Sequence, residues 1–121
     1  MSVDVGTVVE GLLSGSIPPQ AGLSALLIKG RELPGEIIAQ LPYLTGRLRE
    51  DRENDLLATN LEIFANLLCG QEADVAVESL TQDVTLSRLL FHLNNTDFSV
   101  RYPLLRILIS IAKLKRSTLQ R

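Results

Sequence analysis

Few side chains in this chain could do chemistry, and they form no recognisable catalytic or metal-binding pattern. His92 is the only histidine and Cys69 the only cysteine, and they are 23 residues apart. Nucleophilic catalysis needs a base beside the nucleophile, and a structural zinc site needs about four ligands in tetrahedral arrangement. One histidine and one cysteine meet neither requirement. The sequence therefore predicts a non-enzymatic protein with no metal and no other cofactor.

The other patterns that could indicate a functional site favour a structural role or are absent. The stretch "REDREND" (49–55) alternates the sign of its charges and precedes an apolar run, which favours a solvated loop and a helix N-terminus over an acidic site. The glycines do not form a phosphate-binding loop. We expect His92 at the surface or in a groove. We expect Cys69, in the apolar run "IFANLLCG", to be a small buried hydrophobe.

Composition favours one helical domain with an aliphatic core. The chain has 121 residues, of which 45% are hydrophobic and only 4% aromatic, and this length fits a single domain. A lone cysteine favours a reducing, intracellular compartment. No apolar run approaches the roughly 18 residues that span a bilayer, and "MSVDVGTVVEGLLSG" lacks the basic region of a signal peptide. We therefore expect a cytoplasmic protein.

The charge is unevenly distributed along the chain. Residues 97–121 have a net charge of +5 and residues 1–96 a net charge of −7. The basic segment "KLKRSTLQR", with Lys113, Lys115 and Arg116, could meet an acidic partner or an anionic lipid surface. Alternatively, it is a solubilising helix end whose cations suit the helix dipole. A pI near 5.3 argues against a nucleic-acid partner.

Internal similarity is the strongest architectural signal. Leu41, Leu44 and Leu48 match Leu86, Leu89 and Leu93 at an offset of 45 residues. The segment "ENDLLATNLEIFANLL" likewise matches "DFSVRYPLLRILISIA" at an offset of 44. Helical units of this length are typical of armadillo and HEAT repeats. The sequence therefore predicts an all-α, armadillo/HEAT-like right-handed superhelix of about two to three units, at 17–50, 53–95 and 97–121.

Each armadillo unit has a short first helix, a longer second helix and a returning third helix. In the second unit, these are predicted at 53–58, 59–69 and about 79–94, with "GQEADVAVES" as a loop that has room for a helical turn. In the last unit, the first two helices are predicted at 97–102 and 103–115. A repeat array that stops after a second helix leaves an apolar face open. A partner, self-association or the rest of a longer chain is expected to cover it.

Pro103 lies inside an otherwise helical stretch, "NNTDFSVRYPLLRILISIAKL". We interpret it as the first residue of the second helix, where a missing N–H costs nothing. It would also move Tyr102 out of the helical region and create a bend. Asp97 is expected to cap the short helix and Val100 to point inward. Arg101 is expected beside acids or carbonyls of the neighbouring unit.

Two segments carry a family likeness. The segment "DVTLSRLLFHLNNTDFSVRYPLLRILISIAKL" (83–114), with its D-F-x-V-R-aromatic-P string, resembles the armadillo-like head of the general vesicular transport factor family. These proteins are Golgi vesicle tethers with a coiled-coil tail. The segment "YLTGRLREDRENDLLATNLEIFANLL" (43–68) is similar to the preceding part of that head. The likeness covers roughly residues 40–115.

The resemblance implies a role in membrane traffic. By this likeness, the chain would be a scaffold that tethers vesicles between the endoplasmic reticulum and the Golgi. Its partners would be Rab-type GTPases, tethering complexes and SNARE proteins, and it would sit at the periphery of Golgi membranes. Asp97, Val100, Arg101 and Pro103 are the recognition candidates on the family string. The alternative is an armadillo/HEAT adaptor in another intracellular pathway.

Overall fold

The structure, a computed structural model, describes the backbone of residues 4–119 and the side chains of residues 4–116. Arg121 and both ends of the predicted 1–121 domain lie outside that part. Within residues 4–119, all regular secondary structure is helical and there is no strand. The helices are α1 (Val5–Ser14), α2 (Pro19–Glu32), α3 (Pro34–Ile38), α4 (Leu41–Glu50), α5 (Asn54–Leu68), α6 (Ala73–Leu80), α7 (Asp83–Phe91) and α8 (Phe98–Leu119).

Prolines mark the start of helices with one exception. Pro19 and Pro34 are the first residues of α2 and α3, and Pro42 is in the first turn of α4. A proline is tolerated there because the first N–H groups of a helix have no acceptor within it. Pro103 differs because it lies inside α8.

The three long helices form the main layer of the molecule. α5 packs against α2 on one side and against α8 on the other, while α4 contacts α7 in a second layer. Asn60 links the two layers, since its buried Nδ2 donates to the Leu44 carbonyl at 3.0 Å. The core between these helices is aliphatic apart from one phenylalanine. Its fully buried members on the long helices include Leu23, Leu26, Leu57, Leu61, Phe64, Leu104 and Ile107.

Two predicted helix breaks are wrong. Residues 53–58 and 59–69 form one helix, α5, because no glycine or proline interrupts the run 54–68. Residues 97–102 and 103–115 likewise belong to one helix, α8, which continues through Pro103. Val100, Leu104 and Ile107 are fully buried on both sides of the proline. Their packing offsets the roughly 3 kcal/mol that an interior proline costs.

The prediction for "GQEADVAVES", a loop with room for one helical turn, is also wrong, because this segment contains most of the eight-residue helix α6. Ala76, Val77 and Leu80 are buried, so this segment folds as a helix that contributes to the core. The predicted third helix at 79–94 is interrupted at 81–82 between α6 and α7. It ends in a 3₁₀ turn, His92–Asn94. The start points of α5 and α8 are 44 residues apart, which equals the repeat offset.

Candidate interaction surface

The N-terminus of α8 is fixed by Asp97. Its Oδ1 accepts hydrogen bonds from the Ser99 backbone N–H at 2.9 Å and from the Ser99 hydroxyl at 2.7 Å. These bonds hold the pKa of the Asp97 carboxyl below its usual value, because they stabilise the carboxylate. The predicted N-cap is therefore confirmed, although the helix that it caps is the long α8.

The same junction is attached to α5 and to the end of α7. Asn54 on α5 donates to Asp97 Oδ2 at 3.2 Å and accepts from Asn95 Nδ2 at 2.8 Å. The Arg101 guanidinium donates to the Leu93 carbonyl at 3.3 Å and to the Asn95 carbonyl at 3.5 Å. Arg101 thus lies beside carbonyls, as expected, and holds the chain that precedes its own helix.

Val100 and Pro103 belong to the buried side of this junction. Val100 is fully buried, as expected for an inward-pointing side chain. Pro103 is buried too, but its predicted place as the first residue of a new helix is wrong. It is the sixth residue of α8, so the bend expected at Tyr102 is not a helix boundary. The four recognition candidates therefore lie together at the junction between α5 and α8. They are Asp97, Val100, Arg101 and Pro103.

The exposed side of α8 carries an unusual apolar surface. Tyr102, Leu105 and Ile109 are 53%, 42% and 55% exposed, and Phe98 is 74% exposed. Their spacing of four, three and four residues keeps them in one line along a helix. We call Phe98, Tyr102, Leu105 and Ile109 the outer stripe. It lies on the side of α8 opposite the buried Val100, Leu104 and Ile107.

An open groove adjoins the N-terminal end of the outer stripe. The Phe98 and Tyr102 rings are 5.6 Å apart between centroids, at an interplanar angle of 32°. The groove has a volume of about 340 Å³ and separates these rings from α5. Its walls are formed by Ala58, Thr59 and Glu62 of α5 and by Phe98, Ser99, Tyr102 and Pro103 of α8.

The equivalent line on α5 is buried in its C-terminal half. Subtracting the 44-residue offset from the outer stripe gives Asn54, Ala58, Leu61 and Ala65. Asn54 bonds to Asp97, and Ala58 borders the groove beside α8, so this line faces α8. Leu61 and Ala65 are at most 1% exposed. The repeat therefore places the outer stripe where α5 receives its neighbouring helix.

Basic side chains border the outer stripe. Residues 98–116 contain five Lys and Arg residues and no Asp or Glu. The Arg106 guanidinium lies 6.0 Å from the centroid of the Tyr102 ring. Lys113, Lys115 and Arg116, the predicted basic patch, are exposed one to two turns beyond Ile109. The apolar line and the positive charge thus share one helix.

His92 and Cys69 are placed opposite to expectation. His92 is 6% exposed, so the predicted surface position is wrong, and burial lowers the pKa of its imidazole. A hydrogen bond with the Leu48 backbone partly opposes that shift. Cys69 is exposed because it follows α5 at the C-cap, where the apolar side of the helix has ended. Within residues 4–119, no three metal-ligating side chains cluster.

A second groove lies between α4 and α7, away from α8. It has a volume of about 430 Å³ and contains Arg49, Arg52 and Arg88. The Arg88 guanidinium stacks on the Phe91 ring at 4.7 Å from its centroid, and its Nε is buried without a partner in the described part of the chain. The Arg52 guanidinium donates to two backbone carbonyls. Three of the six residues that line this groove are arginines, whereas the outer stripe is apolar.

The repeat pattern predicts an open apolar face, but it does not identify the residues of that face. The signal was present, since Phe98, Tyr102, Leu105 and Ile109 repeat at helical spacing opposite a second apolar line. In the comparisons with known proteins, no family model, no curated protein and no solved structure matches the chain. Within residues 4–119, every helix is too short or too polar to cross a bilayer.

Proposed function

We propose that this protein is a non-enzymatic scaffold for protein–protein interaction. The observation that carries the proposal is that α8 is apolar on two opposite sides, of which residues 4–116 cover only one. A helix that is apolar around most of its surface is normally buried. An exposed apolar line with charged borders is typical of an interaction surface.

The finer architecture that we propose is an armadillo/HEAT-like right-handed superhelix of two to three units. This architecture is supported by the way the helices pack. α2 contacts α5, α5 contacts α8, and α4 contacts α7. In such an arrangement each unit contacts its neighbours only, and the end unit keeps an open side. The open side is then the outer stripe.

The pathway that we propose is vesicle tethering in traffic between the endoplasmic reticulum and the Golgi. It is supported by the likeness of 43–68 and 83–114 to the general vesicular transport factor family. The partners would be Rab-type GTPases, tethering complexes or SNARE proteins. The protein would act in the cytoplasm and at the periphery of Golgi membranes.

Affinity capture from cell extract tests this function. Wild-type chain, an Ile109→Glu variant and a Leu13→Glu variant would each be immobilised and probed for Rab-type GTPases and Golgi tethers. Leu13 is the control because it is exposed on α1, far along the chain from α8. We expect capture by wild type and Leu13→Glu, and loss with Ile109→Glu. Failure of wild type to capture any of these proteins would contradict the pathway.

An armadillo/HEAT adaptor in another pathway is the second candidate. It is favoured by Leu105 and Ile109, because these two residues of the outer stripe lie outside the family string at 97–103. Localisation separates the two functions. Golgi staining of the tagged chain supports vesicle tethering, whereas diffuse or nuclear staining supports the adaptor.

A further inference from the structure

We propose that the outer stripe docks an amphipathic helix of another protein, and that this helix carries acidic residues beside its apolar face. The inference rests on the proposed scaffold function and specifies its partner. It concerns the chemistry of the partner only, so it is independent of the pathway in which the scaffold acts.

The α5–α8 packing indicates that the occupant is a helix. The line Asn54, Ala58, Leu61 and Ala65 on α5 is the counterpart of the outer stripe, and α8 packs on α5 with Asn54 and Ala58 beside its first turns. The apolar character of the two lines is similar at their centres, where Leu61 corresponds to Leu105. A surface built on the same helical spacing accepts the same kind of element, because ridges on one helix fill grooves on the other.

The same packing defines the apolar spacing of the occupant. The residues by which α8 sits on the core are Val100, Leu104, Ile107 and Ile111, at i, i+4, i+7 and i+11. These are the positions with which one helix face contacts another. A docking helix therefore needs Val, Leu or Ile at this spacing.

Charge determines the flanks of the docking helix. Arg106 and Lys113 are seven residues apart and so border the same side of the stripe, and Arg116 continues the line of the stripe itself. No acid within 98–116 compensates them. At the opposite end, Asp97 and Glu62 lie beside Phe98. The partner helix is therefore acidic opposite Arg106, Lys113 and Arg116, and not acidic opposite Phe98.

The same charges disfavour a second copy of this chain. The outer stripe and its continuation to Arg116 have their midpoint at Ile107. In a two-fold pair that uses this whole surface, the axis passes near its midpoint, and residues there meet their own copies. Arg106 would then approach the Arg106 of the second copy. Like charges in contact oppose association. A separate partner with acidic flanks satisfies both the apolar stripe and the cations.

Titration with two matched peptides tests the proposal. The first is an 18-residue, alanine-based fluorescent peptide with Leu at i, i+4, i+7 and i+11 and Glu at the flanking positions. The second has Lys in place of every Glu. The full chain would be titrated into each, with fluorescence anisotropy as the readout. We expect the acidic peptide to bind at least about tenfold more tightly, and to weaken as salt rises.

Variants of the full chain show whether binding uses the outer stripe. Ile109→Glu is expected to weaken acidic-peptide binding at least about tenfold, because a charge replaces a central apolar contact. Leu13→Glu is the control and is expected to bind as wild type does. Lys113→Glu is expected to reduce the preference for the acidic peptide. Circular dichroism of each variant verifies folding, and a variant that unfolds is replaced by Leu105→Gln.

Three results would overturn the proposal. The first is equal binding of the acidic and basic peptides. The second is acidic-peptide binding that Ile109→Glu and Leu105→Gln leave unchanged. The third is evidence that a second copy of the chain or a lipid surface occupies the outer stripe. This would be a wild-type dimer in light scattering, or binding to phosphatidylserine vesicles, that Ile109→Glu abolishes. Peptide binding without capture of tethering proteins would contradict the proposed pathway and leave this surface standing.

Discussion

α5 and α8 begin 44 residues apart and match in sequence at that offset, but they differ in what covers them. α5 lies between α2 and α8, so both of its long sides are packed. α8 has the same two apolar sides but contacts the rest of the described chain with one of them. Leu61 is fully buried on α5, while its counterpart Leu105 is 42% exposed on α8. Corresponding residues of the two helices thus have different environments, because α5 lies between two helices and α8 packs on α5 with one side.

This difference distinguishes the outer stripe from the polar surface that most exposed helix faces have. A helix selected only for solubility would replace the outer residues with polar ones, as happens on the exposed side of most helices. α8 retains Phe98, Tyr102, Leu105 and Ile109 at the spacing that α5 uses to bind its neighbour. The proposed docking helix would cover Leu105 and Ile109, whose counterparts Leu61 and Ala65 are buried on α5.

The largest expected effect comes from substituting the two equivalent leucines. Leu61→Ala removes a fully buried side chain and is expected to lower the free energy of unfolding by about 3 kcal/mol. Leu105→Ala removes an exposed one and is expected to change it by no more than about 0.5 kcal/mol. Urea unfolding of the isolated chain measures both. Equal destabilisation would mean that Leu105 is covered in the isolated protein.

Pro103 is the main sequence difference between the two helices, since the counterpart on α5 is Thr59. Pro103→Ala restores the N–H that bonds to the Ser99 carbonyl and removes an unfavourable residue, for a gain of up to about 3 kcal/mol. It also removes two buried methylene groups at about 0.8 kcal/mol each. We expect a net stabilisation of about 1 kcal/mol, measured by urea unfolding.

The outcome for Pro103 has a matched control. Thr59→Ala on α5 changes a residue that already has its N–H, so no comparable stabilisation is expected. Destabilisation by Pro103→Ala would indicate that the ring packing outweighs the helical hydrogen bond. The Pro103→Ala result therefore shows whether the packing of the proline ring or the lost helical hydrogen bond has the larger effect on the stability of α8.

The N-caps of the two helices differ as well. Asp97 caps α8 with its side chain, whereas Glu53 at the same position of α5 makes no such bond. Asp97→Ala is expected to lower the Tm by a few degrees, because the first turn of α8 loses an acceptor. Glu53→Ala is expected to leave the Tm nearly unchanged. Similar losses for both variants would contradict the capping assignment.

The smallest expected effect concerns the layer beneath these helices, where His92 of the 3₁₀ turn meets Leu48 of α4. Burial lowers the pKa of His92 from its ordinary 6.5. The unfolded chain therefore binds a proton more readily than the folded chain below that pH. The free energy of unfolding should fall as the pH drops below about 6.5. His92→Gln should remove this component, and an unchanged pH profile would contradict it.

The sequence predicted the helical class, because apolar spacing is a direct property of residue order. The repeat superhelix stays a prediction, although α5 and α8 begin 44 residues apart. The sequence also predicted the Asp97 cap and the inward position of Val100. It failed at Pro103, since a local rule places proline at a helix start while packing of Val100 and Leu104 across the proline keeps α8 continuous. It failed at α6 because a polar-looking segment still buries Ala76 and Leu80.

The candidate site was predicted only in outline. Sequence reasoning anticipated an open apolar face and a basic patch at Lys113, Lys115 and Arg116. It did not predict that both features share α8, because the side of a helix that faces solvent depends on which neighbour covers the other side. His92 and Cys69 were misplaced for the same reason: their burial is set by α4 and by the end of α5, not by their own neighbours in sequence.

The most direct test of the central claim is a methyl NMR titration of the full chain with the acidic peptide. Ile109 lies on the outer stripe and Ile107 is fully buried on the other side of the same helix. The account predicts a saturable shift of the Ile109 δ1 methyl resonance and a much smaller shift at Ile107. An unperturbed Ile109, with the peptide bound or with no binding at all, would contradict it.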